Sequence, residues 1–322
     1  MQELEDKIRS VTEEDKHLPV FSYSKLEVYK NCPLQYKLKY IDKQFTKETS
    51  LALELGSLCH YILETKGRSK VSKSCVDYDS LHNILYNGTE DNKLIGINTL
   101  KKKYFETWYE KDNASGMTYD EKMNIFKQVI QVEMEDTEWI PTFFEYPFKF
   151  IWDNHIILKG FIDRIDTRID SNGELEYRTI DYKTSKKIYD NPKLATSLQF
   201  GIYALAILNE FKKLPIQSEY HFILLDQNQM ALTKGYEKRL IKALDKLFTN
   251  IKKNEDEKVF TPSPTPLCYW CSFCKNNPSA MEYQTACNYF SLWTPTEKTF
   301  STNMKWNALD NNKPQTTRKL IF

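Results

Sequence analysis

The sequence has no long hydrophobic run. Its longest apolar stretch, Phe200 to Leu208, falls far short of the roughly 20 residues a helix needs to cross a bilayer. An export signal is also missing, since Met1 to Lys16 is charged and acidic with no apolar core. These absences lead to the expectation of an intracellular, cytoplasmic protein with no membrane partner. Charge of one sign is lacking too. A net charge of +1, from 45 basic and 44 acidic residues, excludes a histone-like coat but leaves room for a local basic groove. No G-x-x-x-x-G-K-[ST] motif occurs, so the chain carries no recognisable phosphate loop of an ATP-driven motor.

Seven cysteines are present, an odd number in a chain without an export signal, which favours thiols or metal ligands over disulfides. Cys268, Cys271, Cys274 and Cys287 lie close together, delivered by the stiff connector Phe260-Thr-Pro-Ser-Pro-Thr-Pro266. Cys32 is far from them, at a break between two short helical patterns where Pro33 restarts the helix. A structural zinc held by the C-terminal cysteines is one reading of this set.

The chemistry concentrates in Gly160-Phe-Ile-Asp-Arg-Ile-Asp166 and Tyr177-Arg-Thr-Ile-Asp-Tyr-Lys183. Both segments have β character, and Asp170-Ser-Asn-Gly173 between them reads as a hairpin turn. Side chains alternate along a strand, so Asp181 and Lys183 share a face and Tyr182 takes the other. Carboxylates bind a hard divalent cation through oxygen, and such a cation lowers the pKa of bound water and offsets charge on a phosphate. A nearby lysine positions that water or helps to deprotonate it. The plainer reading pairs the two strand carboxylates with Arg164, Arg178 or Lys183 at a sheet end.

Around this centre the chain divides at 322 residues into one large domain or two modest ones. Residues 1–18 read as a flexible acidic lead. Leu51 to Lys66 reads as a helix with Gly56 and His60 on one face, the glycine allowing close backbone approach beside His60. Residues 67–140 read as a helical insertion walling the cleft. Phe143 to Trp152 and His155 to Lys159 alternate as strands about a turn at Asp153-Asn154, with Glu145 early in the first. Lys186 and Lys187 follow the second acidic segment in a basic loop suited to phosphates. A helix from about Lys193 to Phe211 sets Gln199 and Tyr203 on one face, Glu219 to Leu225 is a strand, and Thr233 to Lys253 an amphipathic helix. Residues 291–322 form a polar tail whose end, Gln315 to Phe322, faintly resembles a sliding-clamp-binding peptide.

The order Cys32, Gly56-x-x-x-His60, Gly160-x-x-Asp-Arg, Asp181-x-Lys183, Gln199-x-x-x-Tyr203 and Cys268-x-x-Cys271 resembles the PD-(D/E)XK nuclease superfamily, and within it the RecB-like branch with an iron–sulfur cluster. The resemblance runs from about Phe21 to Cys287. It implies an α/β fold with a restriction-endonuclease-like core, a mixed central sheet flanked by helices, and a nuclease domain over 19–290. It implies that His60, Asp163, Asp181 and the Tyr182 carbonyl bind Mg²⁺ or Mn²⁺, that Lys183 is catalytic, and that Gln199 and Tyr203 support the site and contact DNA. It further implies a [4Fe–4S] cluster on Cys32, Cys268, Cys271 and a later cysteine. The family's usual spacing falls at Asn277, so Cys287 is preferred with an insertion, and Cys274 requires a very tight turn. The expected activity is a single-stranded DNA exonuclease in replication, recombination or repair, with a helicase, single-strand-binding protein or sliding clamp as partner. The alternatives are a CRISPR-adaptation-type nuclease and a DNA-binding recombination accessory protein. Tyr36, Tyr40, Trp270 and Phe273 would either stack on unpaired bases or pack a core.

Overall fold

The computed structural model describes residues 2–44, 51–71, 125, 128–129, 131–132, 136–185, 187–190, 194, 197–231, 236–265, 268, 271–273 and 287. Its helices are α1 (Gln2–Glu5), α2 (Tyr23–Asn31), α3 (Pro33–Tyr36), α4 (Leu51–Val71), α5 (Leu198–Phe211) and α6 (Glu237–Glu257). Its strands are β1 (Ile8–Ser10), β2 (Val20–Phe21), β3 (Ile140–Trp152), β4 (Ile156–Ile169), β5 (Leu175–Lys183), β6 (Gln217–Phe222) and β7 (Gln227–Ala231). The chain divides into two compact units. One comprises Met1–Val20 and Thr49–Ile241, the other Phe21–Glu48 and Lys242–Phe322.

The first unit is a mixed sheet flanked by helices, with six strands in the order β1-β3-β4-β5-β6-β7. Asp153 and Asn154 turn the β3–β4 hairpin with φ of 49° and 58°, the left-handed pair a two-residue type I′ turn demands. At the β4–β5 turn, Asp170 Oδ1 accepts from the N–H groups of Asn172 and Glu174, and Gly173 supplies φ of 81°. β5 and β6 are parallel, joined by α5 as the crossover, while the other neighbouring strands on this path are antiparallel. Ser197 caps α5 by accepting from Phe200 N–H at 3.3 Å, and the helix ends at Lys212 in the left-handed conformation. That cap places the start of α5 later than the apolar pattern alone suggests. The helix is nearly all apolar because nearly all of it is buried.

Two expectations are corrected here. Residues 2–18 do not fray, since β1 pairs with β3 in register Ile8 to Trp152 and Asp15 takes Arg9 and the Thr12 N–H. Gly56 is not required by a tight approach, because a Cβ there would lie 3.7 Å from Thr184 Oγ1, an ordinary contact. Gly160 is different: a Cβ would come within 2.8 Å of the Phe148 ring, so a side chain there would force that ring to shift. The 67–140 insertion falls mostly outside the described residues, and the 291–322 tail with its clamp-like end falls wholly outside them.

The second unit packs aromatic rings. Tyr36 lies edge-on to Tyr29 and near Tyr40 and Phe260, and its hydroxyl donates to Glu255 at 3.1 Å. Lys25 sits over the rings of Phe21, Tyr36 and Tyr40. Tyr36 and Phe273 are buried, so these two serve as core, not as base-stacking platforms. Trp270 is outside the described residues.

Candidate active site

Each motif arrives on a different element of the first unit. α4 brings His60, β3 Glu145, β4 Asp163, β5 Asp181 to Lys183, and α5 Gln199 and Tyr203. His60 Nε2 lies 3.1 Å from the Tyr182 carbonyl, which can only accept, so Nε2 carries a hydrogen. The ring then turns Nδ1 toward Asp163 Oδ2 at 3.4 Å and Glu145 Oε1 at 3.7 Å. One ligand atom from each of His60, Glu145 and Asp163 lies within 4.8 Å of the other two.

Glu145 is the site residue that sequence reasoning passes over. It sits in mid-strand with φ of 44°, and the β3–β4 register resumes on either side of it at Phe144 and Tyr146. A left-handed residue inside a strand is costly and re-aims its side chain. Here it turns a carboxylate to His60. An acidic residue within an aromatic strand that leads into the Gly160 segment was the available signal.

Asp181 is 1% exposed. Its Oδ1 accepts from Gln199 Nε2 at 2.5 Å and Tyr203 Oη at 3.2 Å, while Oδ2 is ion-paired with the Lys183 ammonium at 2.6 Å. Gln199 Oε1 accepts from Lys183 at 3.3 Å, so a single amide holds the aspartate and the lysine of the motif together. Asp163 Oδ2 accepts the Tyr182 N–H at 2.8 Å, tying β4 to β5 at the site.

Electrostatics follow the geometry. Burial, then Asp163, raises the Asp181 carboxyl. Burial works to lower His60, but Asp163 and Glu145 outweigh it and carry its pKa to about 10. Burial likewise opposes the charge on Lys183, and Asp181 more than restores it, raising the ammonium above its ordinary range. A ring of carboxylates thus confines cations in a largely buried place.

The donor set of His60, Glu145 and Asp163 suits a divalent cation of the Mg²⁺ or Mn²⁺ class, with clustered carboxylate oxygens and one imidazole nitrogen. Gln199 and Tyr203 both bond Asp181, and at 8% and 4% exposure they brace it and do not present a surface. Lys187 lies in the loop after β5, where Ser185 Oγ accepts its N–H, and Lys186 lies outside the described residues.

Cys32, Cys268, Cys271 and Cys287 all belong to the second unit. Cys268 Sγ accepts the Thr265 N–H at 3.3 Å. Among the described residues these cysteines form no group of three with ligand atoms within 4.8 Å, so a closed cysteine-ligated site is not shown. Cys274 is outside the described residues. Cys59 is a core thiol raised by burial to about 12.

A mixed sheet thus carries carboxylates on adjacent strands, a lysine two residues on, and a histidine from a flanking helix, a group able to hold a divalent metal ion. The family model of the PD-(D/E)XK nuclease superfamily matches residues 20–275, and the chain belongs to that superfamily. It is similar to one subunit of the ATP-dependent helicase/deoxyribonuclease of Clostridium perfringens. Strain SM101 gives 27% identity over 231 residues, and strain ATCC 13124 gives 28% over 230; both cover 63% of this chain. The chain spans only 19% of the length of those relatives. It is also 25% identical to the Gene 69 protein of Mycobacterium phage D29 over 276 residues, 80% of this chain and 94% of that protein. Among the described residues no helix is long and apolar enough to cross a membrane.

Proposed function

We propose that this chain is a metal-dependent DNA nuclease that degrades single-stranded DNA from its ends. The observation that carries the reading is the convergence of His60, Glu145 and Asp163 within 4.8 Å, beside an Asp181–Lys183 pair. His60, Glu145, Asp163 and Asp181 would hold Mg²⁺ or Mn²⁺, with the Tyr182 carbonyl adjoining. Bound there, the ion supplies Lewis-acid stabilisation of the phosphate and a more acidic water. The chain's own groups do the rest. Lys183, kept as an ammonium by Asp181, donates to an anionic phosphate oxygen or orients the attacking water; its raised pKa disfavours a general-base role. Gln199 holds Lys183 and Asp181 in mutual register, and Tyr203 closes the back of Asp181.

A strand-unwinding partner is proposed as well, on the ground that the similar clostridial proteins are named for a helicase/deoxyribonuclease. The iron–sulfur cluster is a separate proposal, supported by the resemblance and by Cys32, Cys268, Cys271 and Cys287 sharing one unit. Iron and acid-labile sulfide in protein purified without oxygen test it, and colourless protein with stoichiometric zinc overturns it.

The deciding experiment digests end-labelled linear and closed circular single-stranded DNA with Mg²⁺ or Mn²⁺, beside Asp181→Ala. Degraded linear DNA, surviving circles and an inert variant support the reading. Cut circles make the enzyme an endonuclease, and no Asp181-dependent cleavage of any substrate favours a binding accessory role.

A further inference from the structure

Phe161 is the second residue of the Gly160-Phe-Ile-Asp segment, two positions before Asp163, and it is 57% exposed. It is the sole aromatic among the large exposed apolar side chains of the described residues. Alternation along β4 turns Leu158 and Ile162 into the core, both at 0% exposure, and Lys159 and Phe161 outward. Across the hairpin the register sets Lys149 opposite Lys159 and Pro147 opposite Phe161, and all four are exposed.

Like charges directly opposite on neighbouring strands repel, and a carboxylate would be the ordinary choice at one of the two positions. Here both are lysines, and among the described residues neither has an ion pair or hydrogen bond through its side chain. At ~3.3 Å per residue, Phe161 stands roughly 7 Å and Lys159 roughly 13 Å from Asp163 along the strand. An exposed ring beside two lysines that have no ion-pair partner among the described residues, on the strand that leads to Asp163, matches a polyanion with flat faces.

We propose that Lys149, Lys159 and Phe161 form a track that carries an unpaired nucleic-acid strand to the Asp163 side of the site. The lysines neutralise its phosphates and Phe161 stacks on a base. A duplex offers phosphates to the same lysines but keeps its base faces stacked inside, so the ring has a partner only in a single strand. The catalytic end of this proposal rests on the nuclease reading, whereas the binding it describes is read without cleavage.

The test measures anisotropy of fluorescein-labelled oligo(dT) and of a duplex of equal length on the full chain in EDTA. Phe161→Ala weakens oligo(dT) binding by about tenfold, on the scale of one base stack removed, and duplex binding by less than about twofold. Phe161→Trp restores it. The double variant Lys149→Gln/Lys159→Gln lowers the slope of log affinity against log salt by about 1.4, roughly 0.7 for each single-strand phosphate no longer neutralised. Hydrolysis of thymidine 5′-(p-nitrophenyl phosphate) with Mn²⁺ reads the catalytic centre alone. It is unchanged in these variants and abolished by Asp181→Ala. Unaltered affinity and slope overturn the track, as does equal loss on duplex and single strand. If the wild type fails to cleave the ester while the binding losses stand, the track holds and the nuclease reading falls.

Discussion

His60 Nδ1 faces Asp163 Oδ2 at 3.4 Å, with Glu145 close behind at 3.7 Å. With its pKa carried to about 10, His60 in the metal-free protein is an imidazolium at neutral pH. That cation stands among the oxygens a divalent ion would use, and ligation through Nδ1 requires its proton to leave. Binding of Mn²⁺ at pH 7.5 should therefore release about one proton. Calorimetric titrations in buffers of differing ionisation enthalpy measure the number. His60→Gln should abolish the release, and a wild-type heat independent of buffer would remove His60 from the ligand set.

Asp181 and Lys183 separate binding from chemistry. Asp181→Ala removes a ligand oxygen and the partner of Lys183, so metal affinity and cleavage should both fall. Lys183→Ala leaves every carboxylate in place and removes one positive charge from their midst. It should retain or strengthen Mn²⁺ binding while cutting turnover by roughly 10²–10⁴-fold, the range for a lost proton-transfer or charge-stabilising group. Parallel calorimetry and cleavage assays read both; loss of metal binding in Lys183→Ala would contradict the assignment.

Gln199 spans the pair, accepting from Lys183 and donating to Asp181 and Tyr203. A leucine fits the volume but satisfies none of these groups. Gln199→Leu should lower metal affinity or activity by about 10–100-fold, as partners behind a ligand commonly do. Gln199→Glu should be worse, because it sets another carboxylate against buried Asp181 and shifts the pH profile. Tyr203→Phe, which loses the 3.2 Å bond to Asp181 and the 3.0 Å bond from Gln199 but leaves Gln199 joined to both Asp181 and Lys183, should be milder.

Motif residues were legible in the sequence because period and spacing place them. Asp181 and Lys183 share a strand face, Gln199 and Tyr203 a helix face, and the structure brings both pairs together. The plainer reading, that the strand carboxylates pair with Arg164, Arg178 or Lys183, holds for Asp181 with Lys183 at 2.6 Å, while the arginines are taken by a third acid. Asp166, at 0% exposure, accepts from Arg164 at 2.6 Å and Arg178 at 2.5 Å, and among the described residues no guanidinium ion pair is recorded for Asp163 or Asp181. Sequence alone did not sort these three aspartates, since register decides which one faces which cation. Glu145 escaped because its role depends on a backbone torsion that alternation does not foresee. β1 escaped because three residues in an acidic lead carry no period, and their pairing with β3 is set by tertiary contact.

His221 gives the fold a pH signature separable from the metal site. It lies buried on β6 with its ring near Tyr182, and burial together with the Arg164 charge lowers its pKa to about 4. Asp226, exposed and 4.0 Å away, offsets this only in part. In the unfolded chain the same histidine takes a proton near its ordinary value of ~6.5. A depressed folded pKa means the native state holds the neutral ring. The associated stability is complete above about pH 6.5 and drains as pH falls toward 4, by up to roughly 3 kcal/mol at ~1.36 kcal/mol per unit. His221→Asn should be less stable than wild type at pH 7.5 because it opens a gap beside Tyr182, yet lose less stability on acidification. Urea unfolding in EDTA at pH 7.5, 6, 5 and 4.5 reads the difference curve, in which titrations common to both proteins cancel. A wild-type-minus-variant difference that stays constant across that range would mean His221 titrates in the fold as it does in the unfolded chain.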